Sequence, residues 1–223
     1  MMQSRPVDMR HETGLFISLE GIDGSGKSTQ AQLLAEALRG LGHRVLLTRE
    51  PGGSPGAEEI RRLVLEGDAE RWSPETEILL FTAARRDHLE KTIRPALARG
   101  DVVITDRFAD STRMYQGIRR GTGADLRAMV DDLHTRMIGV EPDLTLLIDI
   151  DAETGHSRAV SRAASCAGAE QRFEDMGTAL QARMRAGFLA LARQEPRFAV
   201  IDGARSPAEV AADVLATTLT KLA

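Results

Sequence analysis

The 223-residue chain has no asparagine, a single cysteine, and lysine only at Lys27, Lys91 and Lys221. Lacking asparagine, it cannot carry the Asn-Lys-x-Asp motif with which nucleotide-dependent switches read guanine. One cysteine, Cys166, excludes an intrachain disulfide and a Cys-rich zinc site. It sits among small residues with no evident base nearby, so it reads as incidental rather than as a reactive thiol, which needs an electropositive setting. No apolar run approaches the roughly 18 residues of a membrane span. The first fourteen residues carry Arg5, Asp8, Arg10, His11 and Glu12 instead of the apolar core of a signal peptide. A formal charge of -4 argues against a basic, nucleic-acid-binding face. The expectation is a cytoplasmic protein with neither a membrane nor a nucleic-acid partner. His11, His43, His88, His134 and His156 show no metal-ligand spacing.

What is present is an ordinary globular composition, 42% hydrophobic and 28% charged. The length suits one compact domain, expected over 15–223 after an N-terminal extension at 1–14. Short β-type runs at Leu15–Glu20, Arg44–Thr48, Val102–Asp106, Leu144–Ile150 and Phe198–Asp202 read as five strands, most of them nearly continuous in apolar residues as strands covered on both faces are. Between them, 28–41, 56–65, 74–98, 123–138, 152–164, 177–193 and 207–219 carry helical periodicity, and another helix is expected to begin near Ser111. The alternation predicts an α/β fold with a parallel sheet and helices on both faces. Residues 163–175, rich in Ala, Ser and Gly, read as a loop of the kind that serves as a lid, which with the preceding turn spans about 158–175.

Gly21-Ile22-Asp23-Gly24-Ser25-Gly26-Lys27-Ser28 fits G-x-x-x-x-G-K-[ST], placed between an expected strand and an expected helix. Glycines let successive amides point inward as an anion nest, and the helix adds its positive end. Lys27 is expected to reach the β and γ phosphates of ATP, and the Ser28 hydroxyl to ligate Mg²⁺. Thr29 closes the run.

Other constellations are ambiguous when taken singly. Arg49, within Thr48–Gly53, leaves the second strand at the sheet edge where ligands bind, or is a solvated turn arginine. Asp106 and Arg107 end the third strand. The pair offers a carboxylate near a magnesium ion and a planar fork for a phosphate, or simply an ion pair capping the strand. Phe81 and Arg85 share a helical face and could stack on a base and donate to its carbonyl, although a phenylalanine taken alone is more often core. Ser111, Thr112, Tyr115 and Gln116 could line the same cleft. Arg158, Arg162 and Arg172 lie in or before the lid, where a closing arginine could stabilise transferred charge, or are exposed charges.

Taken together, these stretches resemble bacterial thymidylate kinases. Gly21–Thr29, Thr48–Gly53 (TREPGG), Ala57–Gly67 (AEEIRRLVLEG), Phe81–Arg85, Asp106–Gln116 (DRFADSTRMYQ) and Pro142–Asp149 (PDLTLLID) occur in that family's order and spacing. The resemblance implies a three-layer P-loop nucleoside monophosphate kinase fold with a five-stranded parallel sheet. It implies ATP and Mg²⁺ as co-substrate and cofactor, dTMP as acceptor, and a homodimer. It places Asp23 toward the sugar 3′-hydroxyl and the transferring phosphate, and Arg107, Arg49 and Arg61 on the dTMP phosphate. Phe81 would stack on thymine, Arg85 and Gln116 would bond its edge beside Thr112, and Tyr115 would crowd the 2′ position. One family variant has an arginine directly after the loop carboxylate. Gly24 stands there, so the resemblance points to the variant whose lid supplies the catalytic arginine, with Arg158 and Arg162 the first candidates. The expected reaction is ATP + dTMP → ADP + dTDP. The rivals are another monophosphate kinase acting on UMP, CMP or AMP, a P-loop switch, or a nucleotide-binding protein without turnover.

Overall fold

The computed structural model describes residues 14–68, 71–119, 126–165 and 177–222, with backbone alone at 119 and 162–165. Five strands, β1 (Leu15–Glu20), β2 (Val45–Arg49), β3 (Val102–Asp106), β4 (Leu144–Asp149) and β5 (Phe198–Asp202), form one parallel sheet in the order β2-β3-β1-β4-β5. The expected strands are all present; β2 sits one residue later and β4 ends one residue earlier than the apolar runs predict.

Alternation along β1 explains the layers. Ile17 and Leu19 face one side, where they pack with Leu34, Ala35 and Leu38 of α1 (Lys27–Gly40) and Val210 and Val214 of α9 (Pro207–Leu222). Phe16 faces the other side, against Leu89, Ile93 and Leu97 and edge-to-face with Phe108, their ring centroids 5.0 Å apart. That second face is covered by α3 (Pro74–His88), α4 (Arg94–Ala98), α5 (Ala109–Arg119) and α8 (Gly177–Gln194), while α6 (Leu126–Leu133) packs on α5 and α3. Helices α2 (Pro55–Leu65) and α7 (Ala152–Ser165) complete the set among the described residues. Each fully buried Leu, Ile or Phe stabilises the three-layer stack by roughly 2 kcal/mol.

The single helix expected over 74–98 is interrupted. A π-helical segment, Leu89–Ile93, separates α3 from α4. Pro95 is the cause: it has no N–H for the carbonyl of Lys91 and its ring would strike it, so the helix widens just before the proline. Of the helix expected over 123–138, α6 and a second π-helical segment, His134–Ile138, lie within the described residues. The expected extension falls outside them except for Gly14, and so does the lid from residue 166 to 175. No described helix is long and apolar enough to cross a membrane.

Candidate active site

At the carboxyl end of β1 the chain curls through 21–26 and enters α1 at Lys27, with Gly26 as its N-cap. Gly24 adopts φ 75°, and a Cβ there would lie 2.0 Å from the carbonyl oxygen of Gly155 in α7. Backbone meets backbone at this point.

Lys27 is nearly buried, its ammonium donating to Ile22 O at 2.7 Å and Ser25 Oγ at 3.3 Å. Burial first, and the nearby Arg107 second, pull its pKa down to about 8 against the opposing pull of Asp23, Asp106 and Glu20. Ser28 Oγ donates to Asp106 Oδ2 at 2.5 Å, while the buried Asp106 Oδ1 has no hydrogen-bond partner among the described residues.

Beside the loop stands a tight triangle. Arg107 Nη2 contacts Asp23 Oδ1 at 2.5 Å and donates to Tyr115 Oη at 3.1 Å, and Tyr115 Oη donates to Asp23 Oδ2 at 2.7 Å. Arg107 Nη1 donates to Ser111 Oγ at 2.9 Å. Burial opposes the Asp23 charge, but Arg107, Lys27, Tyr115 and Gln181 outweigh it and hold the carboxyl below its usual range. Arg107 has φ 70°, a left-handed conformation that non-glycine residues rarely adopt and that concentrates at functional sites.

A cleft of about 770 Å³ runs from this triangle to Phe81, Arg85, Thr112 and Gln116. Arg85 is buried, with Nε donating to Glu50 Oε2 at 2.7 Å and Nη2 to Thr112 Oγ1 at 2.9 Å. Gln116 Nε2 lies 3.4 Å from Glu77 Oε2. Arg49 is exposed and 3.4 Å from Glu58, and Arg61 Nη1 donates to Pro51 O at 2.5 Å; both line the cleft.

The site residues expected from sequence therefore converge, with identifiable exceptions. Gly21, Ile22 and Ser25 shape the loop without lining the cleft. Arg158 is exposed on α7 with Nη1 3.4 Å from Gly203 O, away from the cleft lining, and the side chain of Arg162 lies outside the described residues, as does Arg172.

Comparison with known proteins decides the family. A family model described as thymidylate kinase matches residues 19–214. The thymidylate kinase of Ruegeria pomeroyi is 71% identical over 211 residues, covering 94% of this chain and 97% of the relative. The chain belongs to the thymidylate kinase family. The thymidylate kinase of Caulobacter vibrioides is 55% identical over 190 residues, covering 85% and 88% of the two chains. The crystal structure of thymidylate kinase from Ehrlichia chaffeensis superposes with a TM-score of 0.73 at 33% identity, covering 92% of this chain and 99% of that one.

Four polar residues at this thymidylate kinase family site escape a reading of the sequence. Glu20 accepts from Phe108 N at 2.8 Å and Ser111 Oγ at 2.6 Å. Gln181 on α8 places both ends of its amide 3.3 Å from Asp23. Glu50 and His88 hold Arg85 from behind. Only Glu50 lies within a recognisable block, and there a carboxylate between arginine and proline reads as part of a turn.

Proposed function

We infer that this chain transfers the γ-phosphate of ATP to dTMP, giving ADP and dTDP. The observation that carries the reading is continuity: one cleft joins the phosphate loop at Lys27 and Ser28 to the Phe81–Arg85 face, with Arg107 between them. In this reading Gly21–Thr29 hold the ATP phosphates and Lys27 draws charge from the β and γ oxygens. Arg107, Arg49 and Arg61 take the dTMP phosphate, with Ser111 bracing Arg107. Phe81 stacks on the base, Arg85 and Gln116 bond its edge beside Thr112, Asp23 receives the 3′-hydroxyl, and Tyr115 crowds the 2′ position. A dTMP phosphate oxygen attacks the γ phosphorus, the bond to the β–γ bridging oxygen breaks, and that oxygen leaves on ADP with the electron pair. The acceptor is already an anion, so alignment and charge neutralisation dominate over general-base help.

Magnesium fits the donor set. Ser28 and Asp106 offer adjacent hard oxygens, Asp106 Oδ1 is buried without a partner among the described residues, and Mg²⁺ needs few protein ligands when phosphates and water fill the rest. Ser28 and Asp106 would hold the ion, which when bound neutralises charge on the β and γ oxygens. Arg158 and Arg162 on α7 are the proposed lid arginines, in one kinase domain over 15–223 with its lid at about 158–175. We further propose a homodimer, checked by sedimentation, and a cytoplasmic location shared with the nucleotide pool.

A coupled assay of ADP release tests the function. With ATP and Mg²⁺, dTMP is expected to be preferred over UMP, CMP and AMP, and preference for any ribonucleotide refutes the reading.

A further inference from the structure

Beside Arg85 lies a largely buried polar chain, with Thr48 and Glu50 reaching the cleft lining, that the reaction as described does not use. Glu50, at the turn after β2, is buried, and both of its carboxylate oxygens are engaged: Oε2 by Arg85 Nε at 2.7 Å and Oε1 by His88 Nδ1 at 3.1 Å. Burial opposes the Glu50 charge, but Arg85 and His88 prevail and hold it ionised. An ionised carboxylate only accepts, so His88 Nδ1 carries the hydrogen and Nε2 faces Thr48 Oγ1 at 2.8 Å. His88 has no exposed surface.

The turn is built around this ring. A Cβ on Gly53, at φ 83°, would lie 2.3 Å from His88 Nε2 and 2.4 Å from Thr48 Oγ1. One turn along the helical face, Thr92 Oγ1 donates to Gly53 O at 2.7 Å. The guanidinium of Arg85 is also seated over the Phe108 ring, 5.1 Å from its centroid. With Nε held by Glu50 and Nη2 by Thr112, Nη1 is the edge left for the cleft that Arg85 lines.

We propose that Glu50, His88 and Thr48 form a positioning chain that fixes the base-reading edge of Arg85 and so sets selectivity for a 4-carbonyl pyrimidine over a 4-amino one. The proposal rests on the reading above in which Arg85 faces the base. A guanidinium has only donors, so a fixed one rewards the carbonyl of thymine and leaves the amino group of cytosine facing a second donor. A loosely held arginine could swing away and tolerate either. An ion pair this buried need not stabilise the fold more than apolar packing would, which leaves orientation as its function here.

The test measures kcat and KM with ATP for dTMP and for dCMP in the full chain and in Glu50→Gln, Thr48→Val and Arg85→Lys. Glu50→Gln is expected to lower the dTMP:dCMP ratio of kcat/KM by about tenfold or more, as befits a lost charged hydrogen bond. The loss should fall on KM for dTMP rather than on kcat. Thr48→Val, which keeps a β-branched strand residue, is expected to lower the ratio by about threefold, the effect of a neutral hydrogen bond. A folded Glu50→Gln protein with an unchanged ratio overturns the proposal. Should Glu50→Gln not fold, Thr48→Val decides by the same criterion. Arg85→Lys separates the two levels. If it lowers the ratio and the other variants do not, base reading by Arg85 stands and the positioning chain falls. If none lowers it, both fall.

Discussion

Lys27 shows how one side chain can be held ready for a ligand. Its ammonium rests on Ile22 O and Ser25 Oγ, inside the loop it serves, with a pKa brought down to about 8 by burial and by Arg107. A bound polyphosphate restores the preference for the charged form, so ATP binding near or above that pH must draw in a proton. Calorimetry in buffers of different ionisation enthalpy should register this uptake at about pH 8, and Lys27→Met should abolish it. The same variant should lose about 10³-fold or more in kcat, because a preorganised charge on the transferring group is gone. Wild-type kinetics in Lys27→Met would end its assigned role. This residue was legible in the sequence because its motif is local: strand, curl and helix follow one another directly along the chain. Glu50 and Gln181 were not, since their partners Arg85 and Asp23 are 35 and 158 residues away and only the fold brings them together.

Among elements, the contact between the phosphate loop and α7 leaves no slack. Gly155 is confined as well, though less tightly, since a Cβ on it would meet Asp23 O at 2.9 Å. Gly24→Ala must therefore displace either the loop or the helix, at a position whose φ already disfavours a side chain. We expect a fall of about 10²-fold in kcat/KM, the usual effect of an ångström-scale misplacement near the reacting groups. Hydrogen exchange should also quicken in α7; normal turnover with unchanged exchange would falsify this account of the contact. The central strands β1, β3 and β4 could be read from sequence because burial on both faces makes them nearly continuously apolar; the edge strands β2 and β5 are only partly buried, and their short apolar runs alone marked them. The π-helical segment Leu89–Ile93 could not be read, because its widening answers a single proline without altering the hydrophobic rhythm.

Across the molecule, a buried carboxylate ties stability to pH. Burial first and Asp110 second raise the pKa of Glu20 from 4.5 to about 7, against the pull of Ser111, Arg107 and the Phe108 amide. Between those two values the folded chain keeps a proton that the unfolded chain has released. Glu20's contribution to stability is thus fully present below pH 4.5 and declines as pH rises toward about 7. Urea unfolding of the wild type and Glu20→Gln at about pH 5 and about pH 8 should show the variant losing less stability over the interval. Equal losses would remove Glu20 as the cause. The sheet's register carries a different consequence. Leu19 pairs with Asp106, and Arg107 N still donates to Leu19 O at 3.0 Å, so the phosphate loop and the arginine beside it issue from adjacent rails. Rails of this kind lie about 4.8 Å apart wherever amide bonds lace two strands together. The gauge between donor and acceptor is thereby inherited from main-chain geometry, and side-chain replacement elsewhere on the surface has no purchase on it.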